Sequence, residues 1–359
     1  MEKDVLDSMP TAQRASYELS RRKAFGIAAK LGLGGAGAAA MSAGLGGISV
    51  REAMAAAALP PKDYQFTFVN HVTTNPFFTP TVYGIEDACE FFGCSFQWTG
   101  SATATVTEMV SAMQTAIADE VDGIAVCLVD AEAFNQPTDD ALSIGIPVIG
   151  YNADTTPNGR LAYVGQSLYE SGYNIAQRWL PMVKPGGQVL LSIATPGQLN
   201  LQPRLDGYIQ AIKDAGDPVT YEVLDSGVDQ ATEESRIEAF YLANPEVAGM
   251  FGTGATDSLA VGKISQKYGL AETGVITAGY DLLPETLDLI KSGDMTFTTD
   301  QQPYLQGFIP TLQLYLYQLS GGAVAPANTD TSLAYVDSTN VDIYLTPSRF
   351  GGSTEEPPA

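Results

Sequence analysis

A strand–helix alternation that runs, pauses and starts again limits this 359-residue chain more than any other feature. "YQFTFVN" (64–70) reads as a buried strand, and Ile85, Cys89 and Phe92 follow at helical spacing. "CSFQWTG" (94–100) is a second strand; Val106, Met109, Val110, Met113 and Ile117 then line one helix face. "GIAVCLV" (123–129) is apolar throughout, as in a parallel strand covered on both sides. A short helix near 134–143 leads to "IPVIGY" (146–151). The pattern then restarts with a helix at 170–183 and strands at 187–194, 220–226, 247–254 and 274–281, with helices at 202–216, 230–243 and 257–269 between them. A helix at 284–292, a short strand at 295–299, a helix at 303–319 and a late strand near 332–337 complete it. Two such runs predict two doubly wound α/β domains with parallel sheets.

The length suits two domains, and 45% hydrophobic residues with 16% charged ones can fill their cores. A net charge of -23 argues against nucleic acid and against docking on anionic lipid. His71 is the one histidine, so a Ser-His-Asp triad would have to pass through it, and no G-x-S-x-G elbow is present. No multi-histidine metal site is possible, and Cys89, Cys94 and Cys127 lack zinc-type spacing. Cys89 and Cys94 are open to two readings, a small disulfide or buried free thiols on a helix and two strands. No enzyme chemistry, cofactor or metal is expected; a hydrolase is disfavoured by the scarcity of histidine and the lack of a paired-carboxylate motif.

"SRRKAFGIAAKLGLGGAGAAAMSAGLGG" (20–47) places Arg21-Arg22 before a weakly apolar run, and "AMAAAALP" follows with small residues suited to cleavage. Residues 1–58 therefore read as a twin-arginine export signal and linker, with a periplasmic or extracytoplasmic mature chain. A membrane anchor is disfavoured by the glycines and by Lys30, Arg51 and Glu52. "GLGGAG" (32–37) matches G-x-G-x-x-G, but no strand precedes it, so it is not read as a dinucleotide site.

Ligands of doubly wound sheets sit beyond the carboxyl ends of the strands. Following those ends gives His71, Asn75-Pro76-Phe77-Phe78, Asn152, the loop before Arg204, Thr256-Asp257, Asp281 and Gln301. The set holds amides, acids, one arginine and aromatics, without a nucleophile–base pair or a phosphate-cradling loop. Amides and carboxylates pair with hydroxyls, and ring faces cover the C–H face of a sugar. Pro76 holds Asn75 extended, which predicts an amide pointing into the cleft with the phenylalanines as an apolar floor beside it. Each of these residues also has a structural alternative: His71 as a satisfied core histidine, the phenylalanines as packing, Arg204 as a surface residue. Gln166 is a weaker candidate, and Trp98 and Trp179 read as packing.

On "NPFF", "GIPVIGYNAD", "RLAYVGQSLYESG", "RLDGYIQAIKDAG" and "GYDLLPETLDLIKSGDMTFTTDQQP", in that order, the chain resembles the ribose-type periplasmic sugar-binding proteins of ABC importers over roughly residues 62–346. That resemblance implies a periplasmic-binding-protein-like fold of type I, two lobes joined by a three-strand hinge. It also implies a monosaccharide or polyol ligand, an ABC permease as partner and a monomer. It assigns His71, Asn75, Phe77, Phe78, Arg204, Asp281 and Gln301 to the ligand, with the strand-end candidates Asn152, Thr256 and Asp257 beside them. Departures stand at Asn152-Ala153, Thr256 and Cys127, where the family often has Asp-Arg, Asn and Asn. The expected lobes are 62–164 plus 303–335 and 165–302 plus 336–346, with hinge strands near 164–166, 300–303 and 335–337 and a disordered tail at 347–359. A sensor-type binder of the same fold is the alternative; a repressor is disfavoured by the leader and by the lack of a basic helix-turn-helix head.

Overall fold

The computed structural model describes residues 61–346 and 349–350. The export leader expected over 1–58 lies outside the described residues, as does most of the tail. The first run consists of β1 (Gln65–Asn70), α1 (Thr79–Phe92), β2 (Ser95–Gly100), α2 (Val106–Ala118), β3 (Gly123–Val126), α3 (Asn135–Ser143), β4 (Val148–Tyr151) and β5 (Ala162–Gly165). The second consists of α4 (Leu168–Trp179), β6 (Gln188–Ile193), α5 (Gln202–Asp214), β7 (Thr220–Asp225), α6 (Gln230–Ala243), β8 (Gly249–Phe251), α7 (Ala255–Tyr268), β9 (Ile276–Ala278), α8 (Pro284–Ser292) and β10 (Phe297–Asp300). The chain then returns with α9 (Pro303–Leu319) and β11 (Thr329–Asp330) to the first sheet and ends with β12 (Ala334–Asp337) in the second.

The strand orders are β11-β5-β4-β3-β1-β2 and β12-β10-β9-β8-β6-β7. All pairings are parallel except β10 with β12, which is antiparallel. In each sheet the winding reverses between the first strand of its run and the third, β1 and β3 or β6 and β8. That switch opens a crevice at the strand ends. The apolar helix faces pack as their spacing predicts: Ile85, Cys89 and Phe92 of α1 and Met109 and Met113 of α2 are buried.

Several details depart from the sequence reading. Strand β3 stops at Val126 rather than Val129: a tight turn closes from the Val129 N–H to the Cys127 carbonyl at 3.0 Å, and the Val129 carbonyl accepts from the Leu199 N–H at 2.9 Å. Cys94 and Cys127 accordingly lie just outside their strands. Strands β5 and β11, four and two residues long, are too short to show a period. The third link between the sheets falls at 331–333, not 335–337, since Ala334 is already paired with Asp300 and Tyr335 with Thr299. Residues 334–335 therefore belong to the second lobe. The chain also passes between the two sheets at 166–167 and 301–302. In the tail, Arg349 is anchored by Asp87 at 2.8 Å and Glu86 at 3.1 Å, and Phe350 meets the Tyr304 ring at 4.9 Å, so this pair is docked rather than loose.

Candidate functional site

Both lobes build the crevice from strand ends. At the end of β1, the buried Asn70 side chain accepts from the Val72 N–H at 2.9 Å and donates to the Tyr151 hydroxyl at 3.0 Å, tying β1 to β4. The chain then turns through His71 to Asn75, which is extended (φ -71, ψ 121) as Pro76 demands. Asn75 Oδ1 accepts from the Phe77 N–H at 3.0 Å and caps a single 3-10 turn over Pro76–Phe78. The Asn75 amide is thereby divided between two uses. Its oxygen starts the turn, and Nδ2 is left for the hollow. The turn brings Phe77 and Phe78 edge to face at 4.7 Å; Phe78 also meets His71 at 5.3 Å and Trp98 at 5.8 Å. At the end of β4, Asn152 takes a left-handed backbone (φ 62), which asparagine tolerates, and its Nδ2 donates to Gln306 Oε1 at 3.0 Å.

The second lobe supplies the charges, and it commits most of them internally. Close approach of α4 and α5 seats Arg204. A Cβ on Gly172 would stand 2.1 Å from the Arg204 carbonyl, and one on Gly207 would stand 2.4 Å from that of Tyr169, so neither position takes a side chain. Arg204, 3% exposed, donates through Nη1 to the Thr253 carbonyl at 2.9 Å and through Nη2 to Gln166 Oε1 at 3.4 Å. It lies 3.8 Å over the Tyr280 ring. The Asp257 carboxylate accepts from the N–H groups of Thr253 (2.9 Å) and Gly254 (2.8 Å) at the start of α7. Burial pushes Asp257 up to about 6 against those bonds. Thr256 donates to Glu233 at 3.0 Å. Asp281, left-handed at φ 74, accepts from Gln301 Nε2 at 2.7 Å; burial raises it to about 6, opposed by Arg204 and Gln301.

One hollow of ≈ 70 Å³ collects these groups. Of the ten residues singled out in the sequence, His71, Asn75, Phe77, Phe78, Asn152, Arg204, Thr256, Asp257 and Gln301 line it; Asp281 does not, and stands behind Gln301. Gln166 is likewise off the wall, holding Arg204 and the Ser332 carbonyl (3.1 Å). Strand-end position pointed to the loop before Arg204, but only the fold picks out Thr195, Gln198 and Asn200 within it. Those residues close the crevice: Gln198 Nε2 donates to the Ala104 carbonyl at 3.0 Å, and Asn200 Nδ2 meets His71 Nε2 at 3.1 Å.

Burial, and secondarily Arg204, lowers His71 to about 4, so the ring is neutral near pH 7. With Asn200 Nδ2 donating, Nε2 accepts and Nδ1 carries the proton. His71 Nδ1, Asn200 Oδ1 and Arg204 Nε are all buried without a partner. Two donors and one acceptor at the wall of one hollow, beside two phenyl rings, are hydrogen-bonding capacity that a guest can satisfy.

Residues 66–322 match the family model described as a periplasmic binding protein domain. A xylose/arabinose-binding protein (XylF) of Sulfolobus acidocaldarius is 45% identical over 305 residues, covering 81% of this chain and 75% of that one. Among solved structures, an ABC transporter solute binding protein from Burkholderia graminis, in complex with D-arabinose, superposes with a TM-score of 0.72 at 24% identity, covering 79% of this chain and 98% of the other. A XylFII–LytSN complex gives 0.71 at 20% identity, covering 78% and 100%. The structural matches share the two-lobed fold described above.

Proposed function

We propose that this chain, which belongs to the periplasmic binding protein family, captures a neutral monosaccharide of the pentose class in the crevice between its lobes. It is a binding protein and not an enzyme, and its family implies an extracytoplasmic location. The observation that carries the sugar reading is the unsatisfied trio, His71 Nδ1, Asn200 Oδ1 and Arg204 Nε, set beside Phe77 and Phe78. Ring hydroxyls both donate and accept, and a sugar's C–H face suits an aromatic floor. An anionic guest is disfavoured, because the one wall cation already serves the Thr253 carbonyl and Gln166. The 45% identical relative named for xylose and arabinose supports a pentose; a polyol is the neighbouring case. The proposed contacts are His71, Asn75, Phe77, Phe78, Asn152, Asn200, Arg204, Thr256, Asp257 and Gln301 on the wall, with Asp281 acting through Gln301.

The lobes close by rotation about the links at 166–167, 301–302 and 331–333, and an ABC permease takes up the guest from the closed form. Residues 1–58 export the chain by the twin-arginine route. A sensor role, presenting a signal to a receptor, has fold likeness alone behind it. Isothermal titration against xylose, arabinose, ribose, glucose and a polyol panel is the test. Saturable heat with a pentose is expected; a folded protein that gives none with any member overturns the reading.

A further inference from the structure

Helix α1 ends where its core-facing row ends. Gly93 takes the left-handed conformation (φ 75) and its N–H reaches the Cys89 carbonyl at 2.8 Å; the Cys94 N–H reaches the same carbonyl at 3.1 Å. This six-residue closure is the one in which the second residue beyond the helix lies against the residue three places before its end. That contact is normally made by two apolar side chains, and here both are cysteines. A Cβ on Gly93 would stand 2.6 Å from Pro61 Cβ, so the corner is held from outside as well.

Each thiol bears on the other: the neighbouring Cys94, with burial, raises Cys89, and the neighbouring Cys89 lowers Cys94. Cys89 is 6% exposed and Cys94 half-buried, so Cys94 is both the readier thiolate and the one a reagent reaches. Cys127 is remote from this corner: it is buried just past β3, beside Asn70 Nδ2 at 3.6 Å. All three are free in this structure.

We propose that Cys89 and Cys94 are a modification site, closing to an intrachain disulfide that clamps the α1–β2 corner when the chain meets a disulfide oxidant. With oxidised glutathione, the Cys94 thiolate attacks one glutathione sulfur and the first glutathione thiolate leaves. Cys89 then gives up its proton, attacks the Cys94 sulfur and expels the second. Two protein thiols lose two electrons and two protons, and one oxidised glutathione becomes two reduced ones. The proposal rests on the end of α1 and is independent of the ligand reading. Extracytoplasmic compartments supply such oxidants. The clamp holds Phe92 in its stack on Tyr315, where the ring centroids are 4.6 Å apart.

The test is alkylation of the full chain with iodoacetamide in denaturant after incubation with oxidised glutathione, read by intact mass. One alkylated thiol, at Cys127, is expected, rising to three after dithiothreitol, with a peptide map joining Cys89 to Cys94. Cys127→Ser under the same conditions takes up none before reduction and two after it. Three alkylated thiols after oxidation, or a glutathione adduct that stays on Cys94, overturns the proposal.

Discussion

The two lobes repeat one winding yet prepare their share of the crevice in opposite ways. The first offers side chains with capacity to spare: the Nδ1 of His71, the Nδ2 of Asn75 and two phenyl rings. The second holds the formal charges and spends them internally. Asp257 caps α7, Asp281 holds Gln301, and Arg204 serves a carbonyl, an amide and a ring, with only Nε left over. A charge buried this deeply is stable only when the lobe itself solvates it. What the second lobe leaves unspent at the hollow is then the Oδ1 of Asn200 and the Nε of Arg204. A charged residue at a strand end can thus be scaffold first and contact second.

Replacing Arg204 disturbs this contrast most severely. Arg204→Met keeps the bulk of the chain but removes donors to Gln166, to the Thr253 carbonyl and to the hollow. Loss of the one charge-assisted bond that Nε offers a ligand costs about 1.5–3 kcal/mol, so a roughly 10- to 100-fold rise in Kd is expected by titration calorimetry. An unchanged Kd beside a lowered melting temperature makes the arginine scaffold alone.

The next effect appears in stability against pH. Glu233, on α6 behind Thr256, is held up to about 9 by burial first and the charge of Asp257 second, and its Oε2 has no partner. A carboxyl raised from 4.5 to about 9 binds more protons in the folded chain between those values, so its effect is to lower stability as pH rises through that window. His71 acts in the opposite sense but only between about 4 and 6.5, and Asp257, Asp281 and Asp300 titrate up to about 6. From pH 7 to 9 Glu233 contributes a loss of up to ~2–3 kcal/mol, opposed in part by the lowered Cys94 thiol. The native chain is expected to melt several degrees lower at pH 9 than at pH 7, and Glu233→Gln to show a flatter profile. Equal slopes in the two proteins would remove Glu233 as the cause.

The smallest effect separates the two halves of one amide. Asn75→Ala removes both the cap and the Nδ2 donor, and is expected to cost about 1 kcal/mol of stability, as other lost caps do. Asn75→Asp keeps the oxygen that receives the Phe77 N–H and loses only the donor. It is expected to leave the melting temperature within a degree or two while weakening pentose binding by a few-fold. If Asn75→Asp instead binds as the native chain does, the first lobe's amide is scaffold too, and the contrast between the lobes narrows.

The alternation of apolar strands and amphipathic helices, together with the restart after 151, was enough to specify the two doubly wound sheets, because period and apolar run length are local properties of a chain. It also pointed to part of the lining of the hollow, since in such sheets the strand ends are where ligands go. How each polar group is spent was settled only once the chain had folded. Asn200 reaches His71 from a position 129 residues away, Gln306 reaches Asn152 across 154, and Gln301 screens Asp281 from the hollow. Residue type shows that a carboxylate can accept a hydrogen bond, not which donor reaches it first. The same holds for the third link at 331–333, where the antiparallel pairing of two short strands set the boundary and no periodicity announced it.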